Sequence, residues 1–163
     1  MPRCPGCGIA VSDTAVPLGS RYNAAAECLN LYHELSANQL ANRDSGFSHQ
    51  IAVDCFGGQH AGGCSKPITT VFSLVGLSLF LEYGKDGHGV QKAHMVLAKR
   101  KVSWPVLAAP AIHYATNVGH VMTGADATTR ARIMRDWAQC TWQAWRVHHE
   151  WIRGIISERG LAV

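Results

Sequence analysis

Apolar residues recur along this chain at helical spacing, in blocks set apart by glycine-rich and polar breaks. The first block predicts a helix from Asn23, a good N-cap residue, to about Asn42, with Leu31, Leu35 and Leu40 recurring along it. Asn42-Arg43-Asp44-Ser45-Gly46 reads as a turn. A second helix is expected from about Phe47 to Phe56, stopped by Gly57-Gly58. If winding persists past that point, His49, Val53, Phe56 and His60 share one face. Pro67 suits the first turn of a third helix, which runs to Tyr83 and ends at Gly84. Val71, Leu74, Val75, Leu77 and Leu81 make it apolar almost all round, the mark of a central, buried helix.

A fourth helix is expected from about Val90 to Lys101. The segment from Val102 to Ala115, with Pro105 and Pro110, is irregular, and a short helical turn covers Asn117 to Met122. The longest periodic stretch runs from Thr128 to Arg159, closed by Gly160. Ile133, Trp137, Cys140, Ala144, His148, Trp151 and Ile155 trace its stripe, widened by Trp142 and Trp145. No strand alternation and no repeat interrupts this series. The pattern therefore predicts a single all-α domain over residues 1–163, with a bundle of about five helices filling 23–163.

Residues 1–22 carry neither period, so packing alone does not order them. They hold Cys4-Pro5-Gly6-Cys7-Gly8, two thiols two residues apart in a glycine-relieved turn. That spacing is half of a tetrahedral metal site, and zinc suits it best because it takes thiolate and imidazole and is redox-inert. Cys28 lies in the first turns of the first helix, where the positive end of the helix dipole favours a thiolate, and is the expected third ligand. For the fourth position His60 is preferred, ahead of His49, His33, Cys55 and Cys64.

Composition narrows the setting. Only 16 % of residues are charged against 47 % hydrophobic, which excludes a disordered chain. The net charge of +4 comes without a basic block interleaved with aromatics, so nucleic acid is not an expected partner. The most apolar run, Val71 to Leu81, is short of the roughly 20 residues that cross a bilayer. No apolar leader precedes Cys4, so the six cysteines are expected in a reducing, cytoplasmic compartment and used for metal rather than disulfides. The glycine-rich segment Gly57 to Lys66 lacks the residue order of a phosphate-binding loop.

The Cys4-Pro-Gly-Cys-Gly knuckle, Cys28 and the block His49-x-x-x-Val53-Asp54-x-Phe56-x-x-Gln59-His60 resemble an uncharacterised family of small bacterial proteins, whose members show H-x-x-x-V-D-x-Y-x-x-Q-H-P. The resemblance continues through Ser73 to Gly84, the Trp104 loop and the Trp-rich last helix with His148-His149. Phe56 stands here for the family's tyrosine and Ala61 for its proline, which removes a phenol from the block. No activity comes with the resemblance.

Asp54 is out of place in an apolar run, because a buried carboxylate needs a partner. The expected role is to orient His49, His60 or His148, so His49, Asp54 and His148 are candidate catalytic residues acting on a small molecule through acid/base chemistry or metal-bound water. The competing expectation is a zinc-stabilised interaction or regulatory module without turnover. His88, His94, His113, His120 and His149 are expected on the surface.

Overall fold

A computed structural model describes all residues, 1–163. It contains seven α-helices and no strand: α1 (Ala26–Ala41), α2 (Ser48–Gln59), α3 (Pro67–Glu82), α4 (Gly87–Ala98), α5 (Val118–Met122), α6 (Ala127–Ala144) and α7 (His149–Glu158). Only an isolated bridge between Arg3 and Ala10 has β character. The apolar α3 is central. Residues Ser73 to Leu79 are all buried, and the helix packs against α2, α4, α6 and α7. One apolar cluster of 34 buried residues runs from Cys4 to Leu161, so the N-terminal tip shares the core of the helices.

The shifted starts of three helices have identifiable causes. The first helix starts at Ala26 and Asn23 does not cap it. Instead the Asn23 backbone N–H donates to His60 O at 2.9 Å, and its side chain donates to Ala61 O at 3.4 Å. Asn23 thus fastens the approach to α1 onto the end of α2. The second helix begins one residue late, since Phe47 sits in the left-handed region (φ 52°) and Asp44 takes over the cap by accepting from the Ser48 N–H. Helix α4 starts three residues early because Asp86 accepts from the Gly89 N–H and caps it.

Gly57 and Gly58 do not stop α2. Glycine costs a helix roughly 1 kcal/mol relative to alanine, and here close approach offsets that cost. A Cβ on Gly57 would stand 2.2 Å from Ser73 Oγ of α3, and one on Gly58 2.7 Å from Thr141 Cγ2 of α6. The Trp145 indole N–H also donates to the Gly58 carbonyl at 2.9 Å. Continuing α2 across both glycines is what delivers His60 to the site described below. Gly58→Ala should therefore destabilise the fold by about 1–3 kcal/mol, the usual cost of overpacking. Chemical denaturation measures it, and an unchanged midpoint would refute this packing role.

The long C-terminal helix is broken in two. After Ala144 the chain tightens into a 3-10 turn at Arg146–His148 and restarts as α7. The ring of His149 stacks on Trp142 at 3.7 Å, and its Nε2 lies 2.8 Å from the Trp142 carbonyl, satisfying an oxygen at the break. His149 is thus buried rather than on the surface. Arg153 of α7 then pairs with Glu82 of α3 at 2.6 Å, beside the Trp142 indole N–H on the same carboxylate.

Candidate metal centre

The N-terminal knuckle is a tight loop. The Cys4 N–H donates to Ile9 O at 2.8 Å, the Gly8 N–H to Cys4 O at 3.0 Å, and Gly8 takes a φ of 84° that favours glycine. Gly6 makes the docking possible. A Cβ there would meet His60 Cδ2 at 2.4 Å and the backbone oxygens of Asn23 and Gln59 at 2.6 and 2.8 Å. The knuckle therefore lies flat against the end of α2 and the start of α1. Its outer side is crossed by the irregular strap after α4, where the Tyr114 N–H donates to Cys7 O at 3.2 Å and Gln59 holds Thr116 O at 2.8 Å.

This packing brings Cys4, Cys7, Cys28 and His60 together, with one ligand atom from each and all four atoms within 4.8 Å of one another. All four residues are buried, none more than 3 % exposed. Cys28 is the third residue of α1, at the positive end of its dipole. The Ala25 N–H donates to Cys4 Sγ at 3.4 Å. His60 Nδ1 lies 2.7 Å from the Phe56 carbonyl, so Nδ1 carries the proton and the Nε2 lone pair faces the sulfurs. Its ring stacks on Phe56 at 3.8 Å, and Phe56 stacks in turn on Tyr32 at 4.1 Å. Phe56, where the resemblance would put a tyrosine, thus aligns the imidazole by stacking and by its carbonyl.

The donor set fits a tetrahedral ion. Cys7 Sγ and Cys28 Sγ are 3.7 Å apart, and Cys28 Sγ and His60 Nε2 are 3.4 Å apart. Zinc–sulfur and zinc–nitrogen bonds of ordinary length give tetrahedral edges of about 3.8 and about 3.5 Å. Protonation points the same way. Hydrogen bonds from Cys28 and Cys7 hold the Cys4 thiol far below its usual range, while its bonds to Cys4 and Cys7, with burial, drive Cys28 far above. At Cys7 the bond from Cys28 lowers the value, but donation to Cys4, burial and the Cys4 charge outweigh it and push it up to about 12. Three buried sulfurs so close together cannot all ionise by themselves; a divalent cation resolves that conflict. The group is one that could hold a metal ion.

The other candidate ligands lie outside this group. Cys55 is buried, whereas Cys64 and His33 are exposed. The proposed acid/base residues share no hydrogen bond or ion pair with one another. His49 Nδ1 is buried without a hydrogen-bond partner, and His148 is half-buried beside the Trp145 ring. Asp54, 1 % exposed, has neither histidine nor His60 among its polar contacts. Its Oδ1 accepts from Gln50 Nε2 at 3.3 Å. The same amide reaches His94 Nδ1 at 3.3 Å, and His94 Nε2 lies 2.8 Å from Phe72 O. His94 of α4, expected on the surface, is therefore half-buried against α2 and α3. The gap beside Asp54 is made by Gly76, whose missing Cβ would stand 1.8 Å from Oδ2.

Sequence reasoning did not single out Gln50, His94 or Phe56 for these roles. Gln50 was visible as the residue four before Asp54 on one helix. His94 carried no sequence signal, because only the packing of α4 on α2 and α3 brings it near.

No helix is long and apolar enough to cross a membrane. Comparison with curated proteins and with solved structures gives no match. The family model described as "Family of unknown function (DUF5946)" matches residues 2–146, from the knuckle through α6, and the chain belongs to that family.

Proposed function

We propose that the chain is a zinc-stabilised helical binding module in which the metal is structural. One observation carries the reading: four buried donors, three sulfurs and one imidazole nitrogen, fill the tetrahedral set of a zinc ion and leave no position for water or substrate. Zinc held there supplies cross-linking, joining the tip before α1, the start of α1 and the end of α2. The thiolate ligands suit a reducing, cytoplasmic compartment. An acid/base site of His49, Asp54 and His148 has less support, because the hydrogen bond that Asp54 accepts comes from Gln50.

Protein purified without added metal should contain one zinc per chain by elemental analysis. Cobalt exchanged into it should show thiolate-to-metal charge transfer and the intense visible bands of a four-coordinate ion. A substoichiometric metal content, or the weak bands of a five- or six-coordinate cobalt, would overturn a closed structural site.

A further inference from the structure

The net charge of the chain is carried by one stretch of it. From Gly87 to Ala125, through α4, the strap and α5, there is no Asp or Glu, whereas Lys92, Lys99, Arg100 and Lys101 all fall there. The other 11 of the 15 Lys and Arg balance the 11 acids, so the whole +4 belongs to α4 and the start of the strap. All four cations are exposed, and neither ion pair of the fold involves them.

The same surface leaves apolar side chains uncovered. Helix α4 buries Val90, Ala93 and Leu97 and packs on α2 and α3. Lys92, Met95, Val96 and Lys99 follow one another at three- and four-residue steps and form its outer face. There Met95 is 63 % exposed and Val96 46 %. Beyond Lys101 the strap is anchored. The Trp104 ring stands edge-on to Phe72 of α3 at 6.2 Å and to Trp151 of α7 at 6.5 Å, and Leu107 packs against the core. Between these two anchors Val106 is held out, 83 % exposed. Trp104 lies three residues past Lys101, so no more than about 11 Å of chain separates them.

Phosphate groups of a bilayer or of a nucleic acid would both answer the unpaired charge. The aliphatic tips decide between them, because a headgroup boundary offers them hydrocarbon and a sugar–phosphate backbone does not. Trp104, the ring that follows the cation run, is engaged by Phe72 and Trp151 rather than free to stack on a base.

We propose that the outer face of α4 and the adjoining strap bind an anionic lipid surface, with the four cations at the headgroups and Met95, Val96 and Val106 entering the acyl boundary. The proposal rests on the binding-module reading and supplies its partner.

Co-sedimentation with vesicles tests it. The zinc-loaded chain should bind vesicles of phosphatidylcholine containing one-third phosphatidylserine, should leave pure phosphatidylcholine vesicles unbound, and should be released as salt is raised. Lys99→Gln with Arg100→Gln and Lys101→Gln removes three charges at roughly fivefold each, and should weaken binding on the order of 100-fold. Met95→Gln with Val106→Ser keeps the charge and should weaken it about tenfold. Every substituted side chain is exposed, so zinc content and denaturation midpoint should match wild type in both variants. Equal binding to the two kinds of vesicle, or wild-type affinity in either variant, would overturn the proposal. Tighter binding of a mixed-sequence RNA or DNA oligonucleotide than of the vesicles at the same salt would assign the surface to nucleic acid and overturn it too. A zinc-loaded chain that ignores the anionic vesicles overturns the lipid assignment and leaves the metal reading standing. A chain that lacks zinc yet binds them overturns the structural-zinc reading and supports the lipid assignment.

Discussion

Replacing Cys28 by serine should release the zinc and cost on the order of 4 kcal/mol or more, among the largest effects of any single substitution in this chain. Three terms add. The hydroxyl is a poor zinc ligand, so the ion's binding free energy no longer favours the folded state. Cys4, Cys7 and His60 are left buried and facing one another without the charge that reconciled them. The knuckle then loses its anchor, since residues before α1 have no helical or strand ladder beyond the Arg3–Ala10 bridge. Cys64→Ser is the control: Cys64 is exposed and outside the ligand group, and its replacement should stay within about 0.5 kcal/mol. Equilibrium denaturation, with zinc release followed by a chromogenic chelator, measures both. A Cys28→Ser protein with full zinc content and wild-type stability would refute the site.

The reach of sequence reasoning is clearest at that same site. Cys4, Cys7 and Cys28 were legible because ligand chemistry demands thiols at a particular spacing and a helix start is a good place for one. His60 was legible only on the condition that α2 keeps winding past Gly57-Gly58. The structure meets that condition through Ser73 and Thr141, side chains on two other helices. The all-α class and central α3 followed from apolar periodicity alone.

Tertiary choices were hidden. The break after Ala144 has no proline or glycine to announce it; it depends on Trp145 reaching Gly58 and His149 reaching Trp142 O. Asn23 looked like a cap and serves as a tie to His60 and Ala61. In each case a long-range partner outweighed a local preference, and no local pattern encodes such a partner.

Asp54 and His94 lead to the second large effect, in how stability depends on pH. Asp54 Oδ2 and His94 Nε2 are 3.7 Å apart, a distance at which an ion pair is conceivable. The hydrogen bonds argue for a neutral His94, and burial argues for a neutral Asp54. His94 Nε2 donates to Phe72 O, and His94 Nδ1 must be unprotonated to accept from Gln50. Burial lowers the His94 pKa from 6.5 to about 4 and raises that of Asp54 well above the usual carboxylate value.

The signs are opposite. Between pH 6.5 and 4 the unfolded chain protonates His94 and the folded chain does not, so acidification removes stability, about 3 kcal/mol over that window. From pH 3.8 upward the unfolded chain ionises Asp54 while the folded chain keeps its proton, so rising pH removes stability. Across pH 4 to 6.5 the two effects largely cancel, and each conceals the other.

Removing one partner should expose the second. Asp54→Asn keeps the shape and removes the proton linkage, so its stability relative to wild type should improve as pH rises above about 4, by at most roughly 1.4 kcal/mol per pH unit, until Asp54 ionises in the fold. His94→Gln should show the reverse side, a stability that falls with rising pH from about 4 upward. Taking differences from wild type at each pH cancels any acid release of zinc, which all three proteins share. Guanidinium titrations at half-unit intervals read both slopes. If Asp54→Asn instead becomes progressively less stable than wild type toward neutral pH, the pair is ionic, and burial has been overcome by attraction between the two charges.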